Sequence, residues 1–270
     1  MGACCATTAS YPAEIPEGSL PSGLEILDRN SPESVQRAID VAARSFVGTP
    51  TAEPPGEFGW LLDDVPDRSD PAQESERILR LSAMQAYCVH YAFTLGRRGL
   101  VLVARSGPEP AGIAGVVVLY FYPKKWSPSI DGVFAPMKAG ISAGASKWTK
   151  TQNQFMNSKK FAALDTATKK LHQKYASGPH IHLQVIGVDP ASQGASVGSK
   201  MMKAVGAIAD SLGLPLYLEC DPGKNEALYK RYGYMTVGNE DLSVKGGKNA
   251  AVEIFPGGLL AMRREAGKRE

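Results

Sequence analysis

The sequence has few cysteines, no long apolar run and little net charge, and each shortage excludes a class of protein. Its 4 cysteines among 270 residues lack the spacing of zinc ligands and do not indicate a disulfide framework. They favour a reducing compartment, so we expect a cytoplasmic protein. No apolar run is long enough to span a bilayer. A formal charge of +3, from 30 basic and 27 acidic residues scattered along the chain, does not indicate a nucleic-acid partner.

The first residues leave open whether the chain carries a lipid. Gly2 stands beside Cys4 and Cys5, a combination found where proteins are doubly acylated. Ala6, however, occupies the position where the myristoylation pattern has Ser or Thr. The alternatives are a lipid anchor that would attach the protein to a membrane and an unmodified tail.

Composition divides the chain into three parts. Residues 1–21 contain several prolines and few large apolar side chains, which predicts a flexible leader. Residues 22–265 are expected to form one domain, because 43% of the chain is hydrophobic and a sizeable core is possible. Residues 266–270 form a charged tail. Within the domain, residues from about 127 to 177 are expected to be a partly helical insertion that either covers the substrate or only packs on the core.

Apolar patterning predicts a single α/β domain with a mixed, largely antiparallel sheet. Ser31, Pro32 and Glu33 provide a cap, a first-turn proline and an acidic residue, which predict the start of a helix. Residues 75–95 have the spacing of an amphipathic helix, and residues 49–71 are expected to form an ordered loop or lid. The expected strands cover residues 23–27, 100–105, 113–122, 182–188, 215–220, 251–255 and 259–262.

The most informative segment is an apolar strand, residues 182–188, that runs through a turn of small residues into an amphipathic helix. The first amides of such a helix have no intrahelical acceptor, and the helix dipole adds partial positive charge, so an anion is stabilised there. The turn is not a P-loop, because only three residues separate Gly194 from Gly198 and Ser199 precedes Lys200. It is not a Rossmann turn either, since Ser196 stands where the second glycine is required.

This segment resembles the acetyl-CoA signature of the GNAT N-acetyltransferases, a strand ending in V-x-P followed by Q/R-x-x-G-x-G/A. Val188-Asp189-Pro190 supplies the strand end, and residues 193–198 supply the loop. The middle glycine of the family pattern is replaced by Ser196, which could reduce affinity for the cofactor. The resemblance implies that the cofactor is bound by Ile186, Gly187, Val188, Gln193, Gly194, Ala195, Ser196, Val197, Gly198 and Ser199.

A second block resembles the terminal GNAT motif N-x-x-x-Y-x-x-x-G-[FY]. It begins at Asn225, passes through Tyr229 and Gly233, and follows a buried-type strand that carries Glu219. Together with His180, Leu183 and Gly187 on the earlier strand, this pattern is most similar to the puromycin-N-acetyltransferase-like branch. The resemblance covers about residues 180–240. It implies a GNAT-like single domain whose twisted sheet has about six to seven strands flanked by helices, with the insertion before the cofactor-binding strand.

The resemblance also implies roles in acetyl transfer, which requires a neutral amine, stabilisation of an oxyanion and protonation of the departing thiolate. Tyr229 occupies the position of the proton donor, and Asn225 the position that holds the pantetheine arm or fixes its helix. Glu219 is the best candidate for the carboxylate that accepts the amine proton. His180 and His182 lie on one face of their strand and could act through water or have no role. We expect no metal site, because two histidines lack a third ligand.

Three functions remain open at this point. The first is an enzyme that transfers acetyl from acetyl-CoA to an amine, expected to belong to a small molecule. The second is an acyl-CoA-binding module without turnover, in which Ser196 reflects a weakened cofactor loop. The third is a protein N-acetyltransferase acting on an N-terminus or a lysine. The sequence does not identify the acceptor.

Overall fold

The structure is a computed structural model that describes residues 20, 22–50, 53–106, 112–122, 130–244 and 253–267. Most of the predicted leader, including the acylation candidates Gly2, Cys4 and Cys5, lies outside the described residues, as do residues 268–270 of the tail. Within the described ranges, no helix is both long enough and apolar enough to cross a membrane.

The described ranges contain seven strands and eight α-helices. The strands are β1 (Leu24–Ile26), β2 (Gly99–Arg105), β3 (Ile113–Tyr122), β4 (His180–Val188), β5 (Leu216–Cys220), β6 (Met235–Val244) and β7 (Glu253–Arg264). The helices are α1 (Pro32–Phe46), α2 (Gly56–Leu61), α3 (Pro71–Thr94), α4 (Ile130–Ser142), α5 (Lys150–Met156), α6 (Lys159–Tyr175), α7 (Val197–Leu212) and α8 (Lys224–Lys230).

Two helices begin where a capping side chain meets a proline. The Ser31 side chain accepts a hydrogen bond from the Ser34 amide at the start of α1, as the sequence predicts. The Asp70 carboxylate accepts one from the Ala72 amide at 2.9 Å, so α3 begins at Pro71, four residues before the predicted start. The segment expected as a loop or lid also contains a short helix, α2.

The seven strands form one sheet in the order β1-β2-β3-β4-β5-β7-β6. All neighbours are antiparallel except β4 and β5, which are parallel. This confirms the predicted fold class, a mixed and mostly antiparallel sheet flanked by helices. Two details differ from the prediction. Of the expected strands 251–255 and 259–262, the described residues belong to the one strand β7, which passes through Gly257 and Gly258 at positive φ, and residues 251–252 lie outside the described residues. Their partner β6 was not predicted.

Helices cover both faces of the sheet. One face packs against α7, with Leu119, Ile181 and Leu218 of the sheet contacting the same core as Met201 and Val205. On the opposite face, two cores bring α1 and α3 against β2 and β3, and α2 and α6 against β5 and β7. The helices therefore bury both faces at the centre of the sheet, where β4 and β5 lie.

The parallel pair β4 and β5 separates soon after it begins. The two strands are paired only at Ile181 with Leu216 and at His182 with Tyr217. The register between β3 and β4 then shifts, because Val118 faces Val185 while Leu119 faces Leu183, which leaves Gln184 as an extra residue in β4. Beyond this bulge β4 stays paired with β3, but its edge toward β5 is open as far as Val188.

Candidate active site

A cleft occupies the opening between β4 and β5. Tyr229 packs on the core of the α7 face, whereas α1, α3 and α6 lie on the opposite face, so the cleft connects the two faces of the sheet. It is lined by Phe46, Glu57, Phe58, Met84, Gln85, Leu164, Thr168, Leu183, Gln184, Val185, Ile186, Glu219, Cys220, Asn225, Tyr229 and Leu259. Glu219, Asn225, Tyr229 and Ile186 are thus brought together as the sequence analysis requires for one site.

The turn between β4 and α7 presents unpaired amides to solvent. Residues 190–192 form one turn of 3₁₀ helix, and the Gln193 amide donates to the Pro190 carbonyl group. The next helical hydrogen bond runs from the Lys200 amide to the Ser196 carbonyl group at 3.1 Å. In the described part of the chain, the amides of residues 194–199 donate to no backbone acceptor. Residues 193–196 are exposed, so an anion can approach these amides directly.

Ser196 has a backbone conformation that normally belongs to glycine. Its φ of 60° and ψ of 14° lie in the left-handed region, and it is the only non-glycine residue with positive φ among the described residues. Its side chain makes no capping hydrogen bond to α7. The residue at which the sequence departs from the family pattern is therefore also a strained residue, because a left-handed conformation brings Cβ close to the following carbonyl oxygen.

Gly187 allows helix α1 to pack directly on β4. A Cβ atom at this position would lie 2.2 Å from Ser45 Oγ and 2.9 Å from Ser45 Cβ. The neighbours Ile186 and Val188 point the other way and pack against the α7 core. This part of the predicted cofactor site is thus fixed by helices on both sides.

Asp189 holds the end of β4 in place. Its carboxylate accepts hydrogen bonds from the guanidinium groups of Arg37 and Arg44, and from the Ala191 amide at 3.1 Å. Asp189 is buried, so these partners offset the cost of removing its charge from water. The two arginines of α1 therefore set the direction in which the chain enters the turn between β4 and α7.

Tyr229 places a phenol at the cleft. Its ring is half-buried, lies 5.7 Å from the ring of Tyr234 and packs on the α7 core. Burial raises the pKa of Tyr229 far above its usual value. The hydroxyl group makes no hydrogen bond with another described side chain, so it stays a neutral donor available to a bound group.

Asp221 links Asn225 to helix α2. The Asn225 side chain donates to the Asp221 carboxylate at 2.6 Å, and the Gly56 amide donates to the same carboxylate at 3.2 Å. Of the two roles suggested by the resemblance, this geometry fits the one in which Asn225 fixes the start of its helix. Asp221 was not singled out from the sequence, although it follows β5 directly and lies close to the start of α8.

Glu219 lies on the face of β5 opposite α7 and is paired with His182. The His182 Nε2–H donates to Glu219 Oε2 at 2.7 Å, and both side chains are less than 10% exposed, at 3% and 7%. Within the described residues, His182 Nδ1 and Glu219 Oε1 have no partner at good hydrogen-bond geometry, although the buried Tyr217 hydroxyl is near enough to interact with the Glu219 carboxylate. A buried carboxylate with a free oxygen at the edge of a cleft can accept a proton or a hydrogen bond from a ligand.

A second pair of histidines lies beside this pair. The His180 Nδ1–H donates to the Gly178 carbonyl group at 2.9 Å, which makes its Nε2 the acceptor for the His172 Nε2–H at 2.8 Å. Burial lowers the pKa of His172 to about 2 and that of His180 to about 4. Both rings are therefore neutral near pH 7. The sequence gave no reason to connect His172 with this site, because its partner lies on another element.

Glu57 was also missed, because it lies in the segment expected as a loop or lid. It is buried at the start of α2, and burial together with the charge on Asp221 raises its pKa to about 8. Its Oε2 has no partner among the described groups. Within the part of the chain that the structure describes, no cluster of three or more His, Cys, Asp and Glu side chains could bind a metal.

The comparison with protein families gives a match at this site. Residues 159–234 match the model described as the acetyltransferase (GNAT) family. The matched stretch runs from α6 to Tyr234 and includes the cofactor turn, Glu219, Asn225 and Tyr229. The predicted resemblance to GNAT N-acetyltransferases is thereby confirmed at the level of the family, and the closer likeness to the puromycin branch stays a prediction. No curated protein matches the sequence.

Solved structures of acetyltransferases resemble the chain only distantly. A histone acetyltransferase HPA2-related acetyltransferase from Corynebacterium glutamicum is 17% identical, with 91% of this chain and 97% of that chain covered and a TM-score of 0.48. The arylalkylamine N-acetyltransferase 2 of Aedes aegypti is 12% identical, with 90% and 98% covered and a TM-score of 0.49. The polyamine N-acetyltransferase of Drosophila melanogaster is 15% identical, with 90% and 98% covered and a TM-score of 0.45. Likeness at this level tells nothing about the acceptor.

Proposed function

From the match of residues 159–234 to the GNAT family, we propose that this protein transfers an acetyl group from acetyl-CoA to the amine of a small molecule by direct attack in a ternary complex. The observation that carries the proposal is the opening of β4 from β5, with a free phenol on one side and a free carboxylate oxygen on the other. The proposed enzyme is an acyltransferase that uses no metal. Its catalytic domain would span residues 22–265.

The chain leaves unpaired several main-chain groups that could bind acetyl-CoA. The amides of residues 194–199 would hold the diphosphate, helped by the dipole of α7 and by the small side chains of the turn. The open edge of β4 from Val185 to Val188 offers main-chain groups to an extended, amide-containing arm. When bound, the thioester supplies the activated acetyl group.

The residues of the chain then have distinct tasks. Glu219, oriented by His182, would accept a proton from the incoming ammonium group, because only a neutral amine can attack the thioester carbon. A main-chain amide at the bulge of β4 would stabilise the negative charge on the acetyl oxygen. As the carbon–sulfur bond breaks, Tyr229 would donate its proton to the departing sulfur. No covalent enzyme intermediate is needed.

Leu164 and Thr168 of helix α6 line the cleft, which supports the role of residues 127–177 as a cover for the substrate.

A cytoplasmic location is part of the proposal. The intact mass of the protein isolated from cells would distinguish an acylated N-terminus from an unmodified one, because each acyl chain adds a fixed mass to Gly2 or to a cysteine.

The proposal is tested by thiol release from acetyl-CoA in the presence of a panel of amines, with Tyr229→Phe as the informative variant. We expect turnover with at least one amine, and a rate at least about tenfold lower in the variant at unchanged affinity for CoA. Binding of CoA without release of thiol in the presence of any amine would favour the acyl-CoA-binding module instead. Turnover with peptides alone would favour a protein acetyltransferase.

A further inference from the structure

Several buried polar atoms in the cleft have no partner. Among the described residues these are Glu57 Oε2, Glu219 Oε1, and both Oε1 and Nε2 of Gln85. All three side chains line the same cleft, and Gln85 is only 1% exposed. Buried polar groups are almost always hydrogen-bonded in folded proteins, and an unpaired one costs about 1–3 kcal/mol. Three of these four atoms are oxygens that can accept, whereas Gln85 Nε2 donates. The convergence of the three oxygens on one cavity indicates a ligand that supplies several hydrogen-bond donors.

The charge of the cleft indicates the sign of that ligand. Among the described residues, its lining contains two carboxyl groups, Glu57 and Glu219, and no lysine, arginine or histidine. Behind Glu57 lies a third carboxylate, Asp221, whose charge is part of the reason that Glu57 resists ionisation. A cation bound beside Glu57 would offset both the burial of this carboxyl group and its repulsion by Asp221. The cleft is therefore built for a positively charged group.

The apolar part of the cleft wall indicates what lies between the polar ends of the ligand. The rings of Phe46 and Phe58 are 4.6 Å apart, and Met84, Leu164 and Leu259 complete an apolar surface. Glu219 belongs to the catalytic pair and would take the reacting nitrogen. Glu57, on α2 at the edge of the site near Asp221, would remain for a second polar group on the same molecule.

Resting on the proposed function, we propose that the acceptor is a small amine with a second cationic group and an apolar spacer, and that Glu57 and Gln85 bind that second group while Glu219 receives the reacting nitrogen. Glu57 would release its proton as the cation binds and so provide the charge, because a nearby positive charge favours the ionised carboxylate. The Gln85 carbonyl oxygen would accept a further hydrogen bond. Diamines would then be preferred over monoamines of the same length. These two residues determine specificity and do not take part in the chemistry.

The test compares 1,4-diaminobutane with butylamine as acceptors, with thiol release as the readout. In the unmodified protein we expect kcat/KM to be at least about tenfold higher for the diamine, since a hydrogen bond to a charged group accounts for a factor of this size. Glu57→Gln should lower the ratio of the two kcat/KM values by about tenfold, mainly through KM of the diamine. Gln85→Leu, which has nearly the same volume, should lower the same ratio in a smaller step.

The controls separate the possible failures. Glu33→Gln, an exposed position in the first turn of α1, should leave the ratio unchanged. Calorimetric titration of the diamine into the protein loaded with CoA provides a second readout that needs no turnover, and Glu57→Gln should weaken this binding. If neither amine accelerates thiol release in the unmodified protein, the proposed function fails. If both amines react with the same kcat/KM, or the ratio does not change in either variant, acetyl transfer stands and the inference about the second group is wrong.

Discussion

His182 Nε2 lies 2.7 Å from Glu219 Oε2, and this hydrogen bond joins β4 to β5 at the level where their backbone pairing ends. His182 is the last residue of β4 that pairs with β5, and Glu219 lies two residues beyond its partner Tyr217. The side-chain bond therefore closes one end of the opening. It also places a buried carboxylate next to the cleft, with one oxygen oriented by the imidazole and the other free.

The first prediction concerns this pair. Glu219→Gln keeps the size of the side chain but removes its ability to accept a proton, so kcat for acetyl transfer should fall by about 10²-fold. Affinity for CoA should stay the same, because the pair lies on the face away from α7. Steady-state thiol release and CoA titration measure the two effects. Glu240→Gln on β6, whose carboxylate pairs with Lys170 outside the cleft, is the matched control. Unchanged kcat in Glu219→Gln would exclude it as the proton acceptor.

The second prediction concerns the strained residue at the start of α7. Ser196→Gly should stabilise the protein by up to about 1 kcal/mol, because the left-handed strain is removed and part of the gain is lost to the greater freedom of glycine in the unfolded chain. Urea unfolding measures the change. Ser199→Gly is the control, since this residue lies in the right-handed first turn of α7 and glycine there should destabilise by about 0.5–1 kcal/mol. Equal changes in the free energy of unfolding for the two substitutions would show that Ser196 is not strained.

The third prediction concerns Glu57 and alkaline pH. Its pKa is about 8 in the folded state against an ordinary value of 4.5, so between these pH values the folded state holds a proton that the unfolded state has released. Stability must therefore fall as pH rises from about 4.5 to 8, by at most about 4 to 5 kcal/mol. Glu57→Gln imitates the neutral side chain and should remove this part of the loss.

The measurement for Glu57 is the free energy of unfolding at pH 5, 7 and 9. The two proteins should be similar at pH 5, and the variant should become the more stable one at pH 9. A difference that does not grow with pH would show that Glu57 ionises normally in the folded protein.

The fourth prediction concerns His172 and His180 in acid. Their pKa values of about 2 and about 4 lie below the ordinary value of 6.5, so the unfolded state gains protons first as pH falls. The contribution of the two histidines to stability does not change above pH 6.5, and below it each histidine destabilises the fold, by about 2 kcal/mol at pH 5. His172→Gln should reduce the dependence of the unfolding free energy on pH between 7 and 5. His90→Gln should have a smaller effect, because burial lowers the pKa of His90 as well but its side chain is only half-buried. An equal reduction in both variants would contradict the prediction.

The secondary structure around the proposed cofactor site could largely be predicted, because its sequence signals are local. The strand, turn and helix from residue 182 to residue 212 follow one another without interruption, and small residues mark the turn. The motif through Asn225 and Tyr229 is equally compact. Strand β6 was missed because most of its side chains are exposed or half-buried and its sequence is polar, so it has little apolar alternation to detect.

The acceptor side could not be predicted in the same way. Glu57 comes from a segment that has the composition of a loop. Gln85 lies on α3, where the helical pattern explains the apolar residues around it but gives no reason to expect a buried glutamine. His172 has the character of a surface residue on a polar helix, yet it is buried against His180. In each case the partner lies on another element, and only long-range packing brings the two together.

The sequence by itself indicated most of the order of elements and the turn of small residues between β4 and α7, and it singled out the tyrosine and the carboxylate that we propose for acetyl transfer. These depend on backbone preferences and on spacing along the chain, which are local properties. The tertiary structure decided where β4 leaves β5, which side chains face the opening, and which carboxyl group is buried deeply enough to hold its proton near pH 7. Those properties follow from the surroundings of a group in three dimensions, because desolvation and nearby charges act through space and not along the chain.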